Sequence, residues 1–382
     1  MSFGRKRLGC EDKMTEGETK KIKIAQVIGD ATTGGVINCV MNYFRYIDTS
    51  KVQFDFYTYA PSPFDEEIIA RGGRVFYFPS VFAFCKCVRF LRKSFKYEKY
   101  DIVHAHMTSL SFVSLLAAKQ AGVKHRICHA HSTTNKEEKF VYLVKSCLKH
   151  ISTWYATDLA GCSKLSIDWL YGKKAAKKAY LMHNAIDLEK FLVASEKRQE
   201  FRAQYGLENC RVIGHIGRFE FQKNIPFLVK AFALACKSKD DLRLVLVGGG
   251  SELENVKQLV DKLKIVDKVL FMTEKRNVEE YYALFDVFAL PSRFEGLPLV
   301  AIEAQAMGIP CLLSDCITKE ADVTGHVEYL PILSANFWAN ELEKAVDTKE
   351  CFDGVKAVAE HGYDIRVEAQ KLLQYYLGVS KK

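Results

Sequence analysis

Leu290-Pro-Ser-Arg-Phe-Glu-Gly-Leu-Pro-Leu-Val-Ala-Ile-Glu-Ala-Gln-Ala-Met-Gly-Ile-Pro310 predicts the end of a buried strand, a tight loop and a helix. Val287 to Leu290 supply the apolar strand end. Pro298 suits a first helical turn, where a missing N–H costs nothing. Gly308 with Pro310 two residues later is typical of a helix end. Strand, loop and helix in this order are the repeating unit of a parallel α/β sheet.

The loop in this stretch has the chemistry of an anion site. The free amides of Gly296, Leu297 and Leu299 are expected above the strand end, where a helix N-terminus favours negative charge. Glu295 and Glu303 are eight residues apart, about 80° around a helix, so both could face one cavity. Carboxylates only accept hydrogen bonds, which suits sugar and ribose hydroxyls. An anion cradle beside two hydroxyl acceptors indicates a sugar-nucleotide site.

Composition limits the class of protein. The chain has 382 residues, 48% hydrophobic and 26% charged, which predicts a globular enzyme of two domains. A net charge of +9 is diffuse, fits anionic substrates or an anionic membrane surface, and argues against nucleic acid as a partner. The 12 cysteines form no C-x-x-C pair, so we expect reduced thiols in a cytoplasmic protein. No apolar run approaches about 18 residues, so no spanning helix is expected.

The chain starts with a polar segment, 1–19, which we interpret as a disordered leader, with Met14 as an alternative start. Ile22 to Ile28 is then predicted as a strand, the turn Gly29 to Gly35 with its glycines Gly34 and Gly35 follows, and a helix is expected from about Val36 to Tyr46. These glycines would let the backbone approach a ligand closely, or they only make a tight turn. The pattern is not G-x-G-x-x-G, so a dinucleotide fingerprint is absent.

Four histidines mark the ends of two predicted strands. His104 and His106 end one strand, and His129 and His131 end the next. Ligands in open α/β sheets bind at such ends, so at least one of the four is expected to have a functional role. His-x-His pairs can bind zinc, but no convergent Cys or carboxylate set accompanies these, and we expect no metal.

A basic segment, 84–100, precedes the first histidine strand. Its predicted helix has an apolar stripe, beside which the cations Lys86, Arg89, Arg92, Lys93, Lys96 and Lys99 lie. One interpretation is a core-packed helix with a solvated basic face. The other, which we favour slightly, is docking onto anionic lipid headgroups. A further helix is expected at Val141 to His150.

The second half repeats the βα alternation after a charged segment, 188–209, that is the expected linker. Arg218 and Lys223 follow the predicted strand Arg211 to Gly217 on a loop. Arg can grip a phosphate through two parallel N–H bonds, and Lys adds a mobile charge. Such a pair is usually solvated surface, but this one is predicted at the same sheet edge as Gly296. The pair could neutralise a diphosphate leaving group.

These motifs together resemble the retaining glycosyltransferases of family 4, and within them the EpsF-like enzymes of bacterial exopolysaccharide biosynthesis. The resemblance covers about Ile22 to Leu377. It rests on the E-x7-E element from Glu295 to Glu303, the Gly217-Arg218 to Lys223 loop, and Ser314-Asp-Cys-Ile-Thr-Lys-Glu-Ala321. It implies the GT-B architecture, an α/β fold of two Rossmann-like, doubly wound parallel-sheet domains facing across a cleft.

The resemblance also implies domain limits. These are an acceptor domain at 20–187, the linker, a donor-binding domain at 210–362, and a last helix at 363–382 that crosses back to the first domain. No metal or other cofactor is implied, since GT-B enzymes are usually metal-independent. Many relatives have an acidic residue directly after the first glycine pair, where this chain has Val36 and Ile37. The acceptor or phosphate-side contacts that relatives usually make at this position are therefore in doubt.

Site roles follow from the same resemblance. Arg218 and Lys223 should bind the donor diphosphate. Glu295, with the Gly296 and Leu297 amides, should meet the donor sugar and distal phosphate, and Glu303 should hold the ribose hydroxyls. The resemblance also implies that His131 lies over the reacting sugar. It implies that the first glycine loop, with Gly34 and Gly35, lies near the phosphates.

The expected reaction moves a sugar from a nucleoside-diphosphate sugar, UDP-linked in our interpretation, with retention of configuration. The expected acceptor is a polyprenyl-diphosphate-linked saccharide, and the expected location is cytoplasmic, peripheral at the inner face of the membrane. Two alternatives stay open: a non-catalytic nucleotide-sugar sensor, and a GT-B sugar-nucleotide epimerase that needs no acceptor.

Overall fold

The computed structural model describes residues 21–32, 34–131, 148, 151–273, 277–348 and 352–381. The expected leader, and the expected helix at 141–150 apart from Leu148, lie outside these residues. The described chain forms two parallel sheets of seven and six strands with helices between the strands, which confirms the predicted fold class. Within the described residues, no helix combines the length and apolar character that crossing a membrane requires.

The first sheet is assembled from the first half of the chain. Its strand order is β3-β2-β1-β4-β5-β6-β7, and every neighbouring pair is parallel. The strands are β1 (Ile22–Gly29), β2 (Val52–Thr58), β3 (Arg74–Tyr77), β4 (Ile102–Ala105), β5 (His125–Ala130), β6 (Asp158–Gly161) and β7 (Tyr180–Leu181).

The second sheet repeats this plan with the order β10-β9-β8-β11-β12-β13, again with parallel neighbours. The strands are β8 (Arg211–Ile216), β9 (Leu242–Val247), β10 (Val269–Met272), β11 (Val287–Leu290), β12 (Cys311–Ser314) and β13 (Val327–Leu330). Strand β11 is buried along its whole length, as a strand covered by helices on both faces must be.

The described helices cover both sheets and connect successive strands. They are α1 (Gly35–Tyr46), α2 (Asp65–Ala70), α3 (Phe84–Glu98), α4 (Ser111–Gln120), α5 (Lys164–Ala176), α6 (Leu188–Glu196), α7 (Arg198–Gln204), α8 (Ile225–Ala235), α9 (Leu253–Lys262), α10 (Val278–Tyr282), α11 (Leu299–Ala306), α12 (Ala335–Asp347), α13 (Gly354–Val358) and α14 (Ile365–Ser380). Short 3-10 turns lie at Thr108–Leu110, Phe221–Lys223, Val266–Lys268 and Lys319–Ala321, and a π-helical turn lies at Ala359–Tyr363.

The segment expected as a linker is helical. Residues 188–204 form α6 and α7, and Leu188, Phe191 and Ala194 are buried in the core cluster of the second sheet. The spacing of these apolar residues places one face of α6 on that core. The segment is therefore packed on the second sheet and is not an extended linker.

The last helix, α14, packs on the first sheet although it follows the second. Ile365, Leu372 and Tyr376 belong to the same core cluster as Ile24 and Phe54. The helix begins after Asp364, whose side chain accepts from the Arg366 amide at 2.9 Å. This crossing brings Tyr376 beside strands that lie hundreds of residues earlier in the chain.

A second connection between the halves comes from Glu320. Its carboxylate accepts hydrogen bonds from the backbone amides of Lys164 at 3.0 Å and Leu165 at 2.9 Å, the first residues of α5. A carboxylate is favourable at a helix N-terminus, where amides are unpaired and the dipole is positive. Glu320 lies in the 314–321 stretch that supported the family resemblance.

Candidate active site

Each sheet reverses its strand order once, and most of the predicted site residues follow the strands at these two reversals. In the second sheet the reversal falls between β8 and β11, and in the first between β1 and β4. Loops that leave the carboxyl ends of such strands diverge in opposite directions and open a crevice in which α/β proteins bind ligands. Arg218 and Lys223 follow β8, Glu295 follows β11, and Gly34 follows β1.

Lys223 and Glu295 form an ion pair at the second reversal. Lys223 Nζ lies 2.7 Å from Glu295 Oε1, and both side chains are mostly buried. Ser292 Oγ donates to the same oxygen at 2.9 Å, while Gln222 Nε2 donates to Glu295 Oε2 at 3.1 Å. A carboxylate offers about four acceptor positions, so one on Oε2 is still open to a ligand hydroxyl.

Hydrogen bonds hold the β8 and β11 loops to each other. The Arg293 amide donates to Gln222 O at 2.8 Å, and Gln222 Nε2 donates to Phe294 O at 2.9 Å. Asn224 Nδ2 donates to Pro291 O at 3.2 Å. The two loops therefore present Lys223 and Glu295 as one preassembled unit.

The N-terminus of α11 provides the predicted free amides. Within the described chain, the N–H groups of Gly296, Leu297 and Leu299 have no hydrogen-bond acceptor. The helix begins at Leu299 with Pro298 as its cap, so Glu295 precedes the helix. The expected angle of about 80° between Glu295 and Glu303 is therefore wrong, because only Glu303 is on the helix.

Glu303 lies one turn into α11 and is partly exposed. The hydroxyl of Tyr282 donates to Glu303 Oε2 at 2.7 Å. Tyr282 is fully buried, so its ring cannot swing away and its hydroxyl gives the carboxylate a defined orientation. A carboxylate offers about four acceptor positions, and the Tyr282 hydroxyl takes one of those on Oε2.

Arg218 differs from Lys223 because its side chain is exposed and makes no hydrogen bond to any described residue. Its backbone is held by the glycines that follow β9. A Cβ on Gly250 would lie 2.6 Å from Phe219 O, and a Cβ on Gly248 would lie 2.1 Å from Gly217 O. Only glycine allows this contact between the two loops, which aims Arg218 at solvent above the sheet edge.

The glycine pair of the first sheet lies above open space. Gly34 caps α1 with φ 122°, a conformation that other residues rarely adopt. A Cβ built on Gly34 or Gly35 would meet nothing within 4 Å. The requirement for glycine at position 34 therefore comes from the backbone turn, and the open space leaves room for a ligand at the α1 N-terminus.

The four histidines form one packed group at the ends of β4 and β5. His104 stacks on His106 with ring centroids 4.1 Å apart, and His129 stacks on His131 at 4.0 Å. His104 Nε2 lies 3.0 Å from His129 Nδ1, and His106 Nδ1 lies 2.8 Å from His131 Nε2. Of these four histidines, His131 alone is partly exposed.

Burial keeps these imidazoles neutral. Loss of water around the ring lowers the pKa of His131 to about 3. For His104, His106 and His129, burial first and the neighbouring imidazoles second hold the pKa well below the ordinary value of 6.5. A neutral His131 is a hydrogen-bond acceptor or donor according to its tautomer, not a cation.

The histidine group also has a separation suited to a metal ion. Ring nitrogens of His104, His106 and His129 lie within 4.8 Å of one another. Their nitrogens already pair with each other, with Tyr376 and with Gln26, apart from His129 Nε2. Among the described residues, no carboxylate or thiolate joins this group of histidines. The expected absence of a metal stays a prediction.

Several supporting residues were missed from the sequence. Gln222, Ser292 and Tyr282 orient Glu295 or Glu303, but a lone polar residue on a loop or a tyrosine in an apolar helix gives no such signal. His215 ends β8, donates from Nδ1 to Ala289 O at 2.9 Å, and leaves a buried Nε2 without a partner. Burial, opposed by this carbonyl bond, lowers the pKa of His215 to about 4.

Sequence comparison links the chain to known transferases. Residues 33–190 match the family described as Glycosyltransferase Family 4, and residues 197–347 match Glycosyl transferases group 1. The EpsF protein of Bacillus subtilis (strain 168), assigned to the glycosyltransferases, is 34% identical over 371 residues, covering 93% of this chain and 96% of that protein. UDP-Gal:alpha-D-GlcNAc-diphosphoundecaprenol alpha-1,3-galactosyltransferase of Escherichia coli is 28% identical and covers 78% of this chain and 82% of that one.

Solved structures show the same fold. Anabaena HepE in complex with UDP and glucose superposes with a TM-score of 0.77 at 18% identity, covering 94% of this chain and all of that one. WaaG, a glycosyltransferase of lipopolysaccharide biosynthesis, superposes with a TM-score of 0.69 at 16% identity over 93% of this chain. Identities this low show the shared architecture only.

Proposed function

This chain belongs to glycosyltransferase family 4, and we propose that it transfers a sugar from a nucleoside-diphosphate donor to a growing bacterial polysaccharide with retention of configuration. The relatives that support this role include the EpsF protein and the capsular polysaccharide glycosyltransferase CapH of Staphylococcus aureus, 23% identical over 93% of this chain. The feature that carries the proposal is the convergence of Lys223, Glu295 and the unpaired α11 amides at one strand-order reversal.

The proposed reaction breaks the bond between the anomeric carbon and the donor phosphate oxygen. The electron pair stays on the leaving diphosphate, where Arg218, Lys223 and the α11 amides offset the developing charge. The acceptor hydroxyl forms the new bond from the same face, and its proton passes to the leaving diphosphate. Stabilisation of developing charge by preorganised donors is commonly the largest catalytic contribution.

Glu295 is proposed to hold the donor rather than attack it. Its Oε1 already accepts from Lys223 at 2.7 Å and from Ser292 at 2.9 Å. A carboxylate held by an ammonium and a hydroxyl is a weak nucleophile, yet Oε2 can still accept from a sugar hydroxyl. Glu303, oriented by Tyr282, is proposed to accept from the ribose hydroxyls in the same way.

The site is tested directly by turnover of Lys223→Ala. Without the ammonium, the leaving diphosphate loses a charge partner, and we expect the rate to fall about 10²–10³-fold, the range seen when a charge-stabilising donor is removed. The measurement is nucleoside diphosphate release with donor and acceptor supplied. Lys237→Ala, an exposed lysine after α8, is the control and should keep the wild-type rate.

UDP is the proposed donor nucleotide, because HepE was solved with UDP and glucose and the E. coli relative is named for UDP-galactose. The proposed acceptor is a saccharide on a polyprenyl diphosphate, supported by the diphosphoundecaprenol substrate in that relative's name. No metal is proposed, since Lys223, Arg218 and the helix amides supply the charge that a cation would. A thermal-shift panel of nucleotide sugars tests the donor, because a ligand that binds only the folded state raises its midpoint.

Helix α3 is proposed to dock the enzyme on the inner face of the membrane. Leu91 and Phe95 of its apolar stripe are buried in the core, so these two side chains do not face a membrane. The exposed aromatic residues are instead Phe82 at 91% and Tyr97 at 83% exposure, with Phe84 and Phe90 partly exposed. All six cations of the basic segment are exposed, and no described carboxylate pairs with them.

Membrane docking predicts that the wild type pellets with anionic liposomes at moderate salt and stays in solution with neutral ones. Reversing Lys86, Arg89 and Arg92 to Glu should abolish pelleting, because each cation near such a surface contributes about 1 kcal/mol. Reversing Lys237 and Lys262, exposed lysines of the other half, is the matched control. Absence of wild-type pelleting would remove the membrane role and leave the transferase proposal intact.

The sensor and epimerase alternatives predict different products. A sensor binds the donor without releasing diphosphate, and an epimerase converts the donor without an acceptor. Diphosphate release that depends on acceptor supports transfer, and acceptor-independent conversion of the donor sugar would support the epimerase.

A further inference from the structure

Tyr376, Gln26, His106 and His131 form a continuous chain of side-chain hydrogen bonds. Gln26 Nε2 donates to Tyr376 Oη at 3.2 Å, and Gln26 Oε1 lies 2.8 Å from His106 Nε2. His106 Nδ1 in turn lies 2.8 Å from His131 Nε2. Tyr376 is fully buried, and Gln26 and His106 are at most 2% exposed, so water does not compete for these bonds. The chain ends at His131, which is partly exposed.

The placement of the Gln26 carboxamide sets the direction of the hydrogen bonds in this chain. A carboxamide oxygen only accepts, so Gln26 Oε1 requires a hydrogen on His106 Nε2. Burial and the neighbouring imidazoles hold the pKa of His106 far below its ordinary value, so the ring is neutral and carries one hydrogen. His106 Nδ1 is then an acceptor, and His131 Nε2 must donate to it. His131 Nδ1 is left unprotonated.

We infer that Gln26 and His106 are positioning residues that hold His131 as its Nε2–H tautomer, so that Nδ1 offers a lone pair to a substrate hydroxyl. His131 Nδ1 has no hydrogen-bond partner in the described part of the chain. A lone pair there accepts the hydrogen of a hydroxyl, whereas the other tautomer would present N–H instead. The inference rests on the proposed function, because it needs the substrate hydroxyls near His131.

The second branch from Tyr376 takes its direction from the same Gln26 carboxamide. The Tyr376 hydroxyl accepts from Gln26, so its own hydrogen is available to His104 Nδ1 at 2.7 Å. His104 Nε2 then donates to His129 Nδ1 at 3.0 Å. Turning the Gln26 carboxamide over would reverse every bond in both branches and put the hydrogen of His131 on Nδ1. The tautomer of His131 therefore reports the orientation of Gln26.

The tautomer of His131 can be measured from the ¹⁵N resonances of full-length protein labelled with ¹⁵N-histidine. The resonances that disappear in His131→Gln are those of His131. In the wild type we expect a protonated-type resonance for His131 Nε2 and an unprotonated type for Nδ1. Gln26→Leu should give a mixed or reversed pattern, because it removes the carboxamide oxygen that accepts from His106 Nε2. Tyr376→Phe should do the same, because the Gln26 carboxamide is then free to turn. Tyr375→Phe is the control, since Tyr375 stacks on Tyr180 and lies outside the chain. A protonated Nδ1 in the wild type would overturn the inference.

Turnover provides the second measurement. In Gln26→Leu and Tyr376→Phe we expect kcat to fall about tenfold, while the donor KM stays within about twofold of wild type. This fall in kcat is smaller than the 10²–10⁴-fold loss expected when a proton-transfer group is removed, because the correct tautomer is still partly populated. An unchanged tautomer with unchanged kcat in both variants contradicts the inference. A wild type that shows the predicted tautomer but transfers no sugar would contradict the proposed function alone.

Discussion

Tyr282 is the residue on which the orientation of Glu303 depends. Tyr282→Phe removes the hydrogen bond to Glu303 Oε2 without opening a cavity. We expect the free energy of unfolding to fall by about 1 kcal/mol, the usual net contribution of one hydrogen bond. The donor KM should rise severalfold, since the carboxylate proposed to hold the ribose is no longer oriented.

Tyr281→Phe is the matched control for this substitution. Tyr281 donates to the carbonyl of Thr273 at 2.7 Å, a hydrogen bond that does not involve Glu303. Its loss should cost similar stability, measured by urea unfolding, with little change in donor KM. Equal KM values in the two variants would contradict the role of Tyr282.

Single residues were predictable where their chemistry is local. Arg218, Lys223 and Glu295 follow strand ends directly, so a parallel sheet brings them to one edge, and the structure places them there. Gln26 gives no such signal, because a glutamine inside an apolar strand has the same sequence appearance whether it binds a histidine or a backbone carbonyl.

The loop after β9 is the element that supports the Arg218 loop. Gly250→Ala places a Cβ 2.6 Å from the carbonyl oxygen of Phe219, and φ at Gly250 is 152°. Backbone atoms cannot yield as a side chain can, so we expect a loss of unfolding free energy of at least about 2 kcal/mol from steric clash and strain. The donor KM should rise as well, because the Arg218 loop must move.

Gly249→Ala tests whether this effect is specific. A Cβ on Gly249 meets nothing within 4 Å, so its unfolding free energy should stay within about 0.5 kcal/mol of wild type. Equal destabilisation of the two variants, measured by chemical denaturation, would show that the close contact is not what holds the loops together.

Elements were predicted well where periodicity decides them and less well at their ends. The first strand was predicted at Ile22 to Ile28 and runs Ile22–Gly29, because its apolar run is followed by a glycine-containing turn. Helix α11 begins at Leu299, so Glu295 lies in the loop before it and the helical angle between Glu295 and Glu303 does not apply. The orientation of α3 depends on which neighbours cover it, which hydrophobic spacing alone does not specify.

The buried histidines make the stability of the whole molecule depend on pH. His104, His106, His129, His131 and His215 are neutral in the folded protein, with pKa values below 6.5 because of burial. In the unfolded chain they bind protons near pH 6.5, so acid favours unfolding. The stabilisation is complete above about pH 6.5 and is lost as pH falls toward the folded pKa values.

Each such histidine adds up to about 1.4 kcal/mol per pH unit to this slope. We expect unfolding free energy from urea titrations to be nearly constant from pH 8 to 7 and to fall steeply from pH 6.5 to 5. A flat profile down to pH 5 would mean that the histidines are charged, or equally neutral, in both states.

At the scale of the whole molecule, the long-range contacts could not be predicted from the sequence. The family resemblance implied that the last helix crosses back, but not that Tyr376 meets His104 and Gln26. Glu320 was recognised as part of a motif, yet its contact with the α5 amides spans 156 residues. Such contacts depend on how two domains meet, and no local pattern encodes that.

The anomeric configuration of the transferred sugar tests the account most directly. Proton NMR of the wild-type reaction, with an α-linked UDP-sugar and a lipid-linked saccharide acceptor, follows the donor and product anomeric signals together. We expect the product signal to be that of an α-linkage and to appear with released UDP, and Lys223→Ala to suppress both. A β-linked product, or loss of donor without any glycosidic product, would contradict the account.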